Sequence, residues 1–357
     1  MQTKKVWGVM LVGCGHIGKQ HIEEIYYRDN IRMVACVDYN EETARLFSKR
    51  YSGGYNTQYG TDYKPFLNRE DLDIVIIATY AETHLEIMRD CVNAGKHVLC
   101  EKPIAPTIAE AEQFCRIAKA SSSKVLIAHI LRHNQTYKKA AEMIRSGRLG
   151  DIRLIRMVQN HHIMNKERYM RLLEDCSPIV DCGVHYVDVI RWFTGLEVED
   201  IRGMGGIVSR VVPPNTYDYG MITMKLSNGC TAYYEAGWTD TTASENLKEF
   251  VGTDGRIRII LSDYRHDHRE EGDLIEYYDK LTETYTSINI KCKYKDMYAQ
   301  ICTLIDMIEN DTEGFPTLED AMAAFRIVLS CDEYIRNTLN LDQKSDDISL
   351  HYVGEKF

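Results

Sequence analysis

Residues 6–18 read VWGVMLVGCGHIG, a run that is apolar but for one glycine, then a turn containing three glycines. The apolar run suits a strand covered on both faces, and the turn leads straight into a helical pattern over 16–29. Working outward, further β-branched runs at 33–37, 74–78, 98–100 and 125–128 alternate with helical patterns at 41–51, 84–94 and 107–120. Gly95 supplies a stop signal, and Thr107 with Glu110 forms a capping box. Strands and helices in strict alternation predict a parallel sheet wound by crossover helices.

The chain of 357 residues is longer than one core usually fills. Apolar residues at 44% and charged residues at 27% exclude a disordered, collagen-like or coiled-coil chain. Lys and Arg number 43 against 53 Asp and Glu, a net charge of -10 spread along the sequence, which argues against a nucleic-acid or anionic-membrane partner. No apolar run is long enough to span a bilayer, and no small-residue cleavage site follows Lys4, Lys5 and the first strand, so a cytoplasmic protein is expected. The 11 cysteines contain no C-x-x-C pair; in strands such as 34–37 they are expected to be reduced, buried, small hydrophobes.

Beyond residue 130 the pattern changes. A helix is expected at 135–145, a strand at 152–158 and a helix around 184–193. Hairpins follow: 221–226 with 231–234 across Ser227-Asn228-Gly229, and 250–251 with 257–260 across Thr253-Asp254-Gly255. Late helices are expected at 297–308 and 318–336, and no pattern is found from Lys344 onward. The expected division is a dinucleotide-binding α/β domain over 1–128 and an α+β domain with a large, mostly antiparallel sheet over 129–357.

Gly13-Cys14-Gly15-His16-Ile17-Gly18 fits G-x-G-x-x-G, and Asp38 lies 20 residues after Gly18 at the end of the second strand. Gly13 allows the tight turn, Gly15 a close approach to a pyrophosphate, and Gly18 the packing of helix on strand. A carboxylate at Asp38 would accept from ribose hydroxyls and repel a 2′-phosphate, which favours NAD over NADP. Gly203-Met204-Gly205-Gly206 precedes a β pattern at 207–209 rather than a helix, so it is rejected as a second nucleotide loop.

Glu101-Lys102-Pro103 stands at the carboxyl end of an expected parallel strand, where α/β sheets place ligands. Lys102 could hold its charge against a developing alkoxide, or form an ordinary ion pair with Glu101. Asp181 and His185 share one face of a helix, the spacing of a carboxylate that orients a general base or of a solvated surface. Asp188, three residues after His185, could serve the same imidazole or cap or brace the helix, and the brace is favoured.

Together with Ile76-Ile77-Ala78-Thr79, His84 and the stretch from Gly95 to Pro103, these motifs in this order resemble the Gfo/Idh/MocA family of glucose-fructose oxidoreductase and inositol dehydrogenase. The resemblance, over residues 5–340, implies a Rossmann domain, then an α+β domain whose open-faced sheet makes homodimers or homotetramers. It implies a nicotinamide-dependent oxidoreductase acting on sugars, glycosides or cyclitols, with Lys102, Asp181 and His185 as catalytic residues. Glu101 would lie near the nicotinamide, and Thr79 and His84 would border the cofactor. Two departures stand out: Tyr80-Ala81 where many relatives have Pro-Asn, and Arg132-His133 where Arg-Phe is common.

On this reading His185, oriented by Asp181, takes a hydroxyl proton, Lys102 donates to the same oxygen, and hydride passes to NAD. Arg132, Asn160, His161 and Trp238 are the candidate substrate contacts, polar groups and an aromatic face being what a polyol requires. His266-x-His268 with Asp263 and Asp267 is read as a polar loop, and no metal is expected. Besides a dehydrogenase for a non-sugar ring diol or ketone, two alternatives remain at this point. One is a redox-neutral enzyme that passes through a transient keto-sugar to epimerise, eliminate or cleave a glycoside; the other is a noncatalytic NAD-binding regulator.

Overall fold

Every side chain of β1 (Trp7–Val12) is buried, as the apolar run requires. In the computed structural model, which describes residues 5–163, 166–265 and 271–341, β1 lies inside a six-stranded sheet. After it come α1 (His16–Ile25), β2 (Ile31–Val37), α2 (Glu41–Arg50), β3 (Gln58–Gly60), α3 (Lys64–Leu67), β4 (Ile74–Ile77), α4 (Ala81–Asn93), β5 (His97–Cys100), α5 (Ile108–Ala120) and β6 (Val125–Ile127). The strands are parallel in the order β3-β2-β1-β4-β5-β6. The winding therefore reverses between β1 and β4, the place where such sheets hold ligands beyond the strand ends.

The second sheet has eight strands. After α6 (Gln135–Arg145) come β7 (Ile152–His162), α7 (Lys166–Asp175), α8 (Pro178–Thr194), β8 (Val198–Gly206), β9 (Tyr219–Leu226), β10 (Thr231–Thr239), β11 (Glu245–Gly252), β12 (Gly255–Ile260), β13 (Asp273–Asp279) and β14 (Thr284–Ile290). Their order is β14-β13-β12-β11-β7-β10-β9-β8, antiparallel throughout except where β10 runs parallel to β7. One face carries Ile155, Tyr234, Phe250 and Ile257, all fully buried, with Phe193 of α8 packed on Phe250. The other face carries pairs such as Arg156 with Glu249.

Two helices close the described chain, α9 (Met297–Asn310) and α10 (Leu318–Thr338). By its contacts the chain forms two units, residues up to His133 with Lys295–Met322, and Asn134–Tyr294 with the remainder. The segment Lys295–Met322, assigned from sequence to the second domain, thus packs with the first. The reason is the apolar face of α9: Ile301, Leu304 and Ile305 are buried in one cluster with Val9, Leu11, Ile22 and Leu99.

Local bounds also change: the helix expected around 184–193 starts at Pro178, and the strand expected at 231–234 runs to Thr239. The strand expected at 152–158 continues to His162, because β10 and β11 pair with it on both sides. The β pattern expected at 207–209 is absent there; the strand is β8, and Gly203–Gly206 are part of it. No described helix is long and apolar enough to cross a membrane.

Candidate functional site

In the first unit, β1 delivers the chain to Gly13, whose φ of +96° is a conformation side chains disfavour. A Cβ at Gly13 would also lie 2.4 Å from the carbonyl oxygen of Ala78, at the end of β4. At Gly15 the opposite holds: a Cβ would meet nothing within 4 Å, so the backbone there faces open space. Gly15 is also the N-cap of α1, and neither a capping side chain nor a first-turn carboxylate occupies the amides that begin the helix. His16 and Ile17 form its first turn. Open backbone before an uncapped helix start has the shape and charge to take a dinucleotide pyrophosphate. Asp38, one residue past β2, accepts from the amide of Cys14 (2.8 Å) and from that of Asn40 (2.9 Å), so it also ties the glycine loop to the neighbouring strand.

Past β5, Lys102 is half-buried and joined to Pro103 by a cis peptide. Glu101 before it is buried and lies 2.7 Å from Nε2 of His21 on α1. Burial pushes the Glu101 carboxyl toward its neutral form, but the hydrogen bond and charge of His21, with the nearby Lys102 and Lys295, outweigh it and hold the pKa below its ordinary value. His84 is fully buried, with Nδ1 3.0 Å from the Pro103 carbonyl and Nε2 3.2 Å from that of Thr79. Burial lowers its pKa, and a neutral ring has one N–H, so it donates to one of these carbonyls at a time. His84 is thereby a brace between the turns after β4 and β5, while the Thr79 hydroxyl pairs with that of Thr83 (2.7 Å). His21 was missed from sequence, where nothing marks a histidine inside α1 as the partner of Glu101.

In the second unit, α8 opens with Ser177 as N-cap and Pro178 in its first turn, and ends at Gly195, φ +68°. Most of the helix is buried, but Asp181, Cys182 and His185 are partly accessible, four residues separating the carboxylate from the imidazole. The Cys182 thiol donates to Oδ2 of Asp181 at 3.3 Å. Asp188, three residues after His185, is buried.

Both units match known proteins. Residues 7–129 match the model of an oxidoreductase family with an NAD-binding Rossmann fold, and residues 137–258 match the C-terminal domain model of the same Gfo/Idh/MocA family. The chain belongs to the Gfo/Idh/MocA family. Among characterised members, an inositol 2-dehydrogenase of Saccharopolyspora erythraea is 27% identical over 253 residues, 70% of this chain and 72% of that protein. A D-apiose dehydrogenase of Paraburkholderia graminis is 24% identical over 278 residues, 76% of this chain and 72% of that one. The fold is shared with scyllo-inositol dehydrogenase of Lactobacillus casei, solved with NAD(H) and scyllo-inositol, at a TM-score of 0.75 and 22% identity, covering 94% and 98% of the two chains.

Within this Gfo/Idh/MocA chain three of the candidate substrate contacts belong to the second unit and one, Arg132, to the first. His161 and Trp238 are paired neighbours on β7 and β10 and share the helix-covered face; Trp238 is buried with Tyr169 against it. Asn160, one residue earlier, turns to the opposite face, where its amide donates to Glu235 at 2.7 Å. Arg132 is in the first unit, 2% exposed, ion-paired with Asp320 at 3.3 Å and lying 4.5 Å over the ring of Phe315. Its guanidinium is held by these partners. Among the described residues no three His, Cys, Asp or Glu side chains gather as metal ligands, and His266 and His268 lie outside them.

Proposed function

We propose that this protein is an NAD-dependent dehydrogenase of a secondary alcohol in a sugar, glycoside or cyclitol. The observation that carries the reading is the first unit's loop, open at Gly15, uncapped at α1 and flanked by the acid Asp38, in a chain whose α8 carries partly accessible Asp181 and His185 four residues apart. The named activities of the inositol and apiose dehydrogenases support the substrate class. Asp38 supports NAD over NADP through repulsion of a 2′-phosphate. The loop of Gly13, Gly15 and Gly18 would hold the pyrophosphate, with Asp38 on the ribose.

When bound, the nicotinamide supplies the hydride acceptor. His185 takes the hydroxyl proton, with Asp181 holding its ring and stabilising the imidazolium. Lys102 donates to the alcohol oxygen and stabilises negative charge as it develops. Glu101, kept ionised by His21, holds the Lys102 turn in place. The buried thiols of β2 and β5, Cys36 and Cys100, support a reducing, cytoplasmic setting.

A panel of inositols, free sugars and glycosides, assayed with NAD and with NADP, tests this reading by following reduced cofactor and product together. Reduced NAD should accumulate with product, and Lys102→Met should abolish turnover while NAD binding is kept. Activity retained in Lys102→Met overturns the assignment, and product without accumulated reduced NAD shifts the reading to redox-neutral chemistry.

A further inference from the structure

The helix-covered face of the second sheet holds a buried lysine that the proposed chemistry does not use. Lys248, midway along β11, is in phase with Phe250 and faces inward, with no exposed surface. Its Nζ has no hydrogen-bond partner among the described residues and stands 4.7 Å from the ring centre of Tyr186 on α8. An amine buried in this way is costly, and proteins keep such groups chiefly where the charge has a use.

Its surroundings indicate that use. The groups bearing on its charge are Cys182 of α8 and Asp273 of β13. Cys182 is the residue whose thiol donates to Asp181, and Tyr186 follows His185, so the lysine lies against the inner side of the helix turn that carries the pair. The other titratable groups around Tyr186 are the phenols of Tyr137 on α6, Tyr234 on β10 and Tyr294, all held neutral by burial.

We propose that Lys248 is a positioning residue for the Asp181–His185 pair, acting from behind α8 through Cys182 and Tyr186 to set how readily the imidazole holds a proton. This rests on the reading of that pair as the general base. Burial brings the amine down to about 7, so it gains its charge over the range in which a histidine does. A cation appearing behind the helix opposes a second on His185. Lys248 thus keeps His185 a weaker base than Asp181 alone would make it, ready to return its proton. Only proton equilibria are involved, and no co-reactant is needed.

The test reads His185 directly. In the full chain with histidine labelled at ring Cε1, the His185 resonance is assigned through its loss in His185→Gln and titrated by NMR. In Lys248→Met, or in Lys248→Gln should the first not fold, the His185 pKa should rise by about half a unit to one unit. An unchanged His185 pKa overturns the proposal. The wild-type chain provides a second test whatever the variants do, since two interacting groups titrating together broaden the His185 curve, and a single-site curve counts equally against it. His185→Ala tests the general-base reading separately: turnover kept there removes that reading, while turnover lost with an unmoved His185 pKa removes only the role of Lys248.

Discussion

A methyl group at position 18 would be placed 1.9 Å from the carbonyl oxygen of Gly13, a backbone atom that cannot rotate away. Gly18→Ala must therefore push α1 off the glycine loop. The expected result is a fall of at least about tenfold in NAD affinity by calorimetry, with roughly 1–3 kcal/mol of stability lost to overpacking. Lys248 gives a prediction of opposite sign. Its folded pKa of about 7 lies below the ordinary 10.5, so between those values the unfolded chain binds more protons and stability rises with pH. Lys248→Met removes that slope. Denaturation across pH 6 to 11 should show the variant more stable near neutrality, by a few kcal/mol as an order of magnitude, with the gain vanishing at the alkaline end. Lys248 escaped notice in the sequence because one lysine in a short β pattern looks like an outward position; only the phase with Phe250, fixed by pairing to β7 and β12, turns it inward.

Among the elements, α8 depends on how its first turn is held. The Ser177 hydroxyl accepts from the amide of Val180 (3.2 Å) and donates to Asp332 of α10 (2.5 Å), and the Tyr217 hydroxyl donates to the same carboxylate oxygen (2.5 Å). All three residues are buried. Ser177→Ala should cost about 1–2 kcal/mol, and a double-mutant cycle with Asp332→Asn should show coupling instead of additivity in chemical unfolding. The i, i+4 spacing of Asp181 and His185 was legible in the sequence because a helix turns it directly into a shared face. The strand neighbours were not. Asn160, His161 and Trp238 looked equivalent when the strand was expected to stop at 158; its continuation to His162 imposes alternation, which separates Asn160 from the other two. Tertiary pairing on both edges of β7, invisible locally, decided that.

For the whole molecule, the alternating pattern of the first 128 residues was enough to foresee the parallel sheet, and the turn signals were enough for the antiparallel one. The return of α9 to the first unit carried no local signal, since an amphipathic helix does not declare which core it serves. Its consequence can be measured. A fragment of residues 1–133 lacks Ile301, Leu304 and Ile305, and so exposes the side of the cluster that they cover. That fragment should melt at lower temperature than one in which 295–322 is linked to it, and should bind NAD more weakly. Equal melting would show α9 to be dispensable.

The same return sets an order for synthesis in the cell. A growing chain adds about 5–20 residues per second, and domains usually fold as they emerge. Here the first sheet can leave the ribosome early, yet the helix that completes its core is encoded after the entire second sheet. Nascent chains arrested before α9 should stay open to protease within their first 133 residues, and become resistant only once translation has passed Met307.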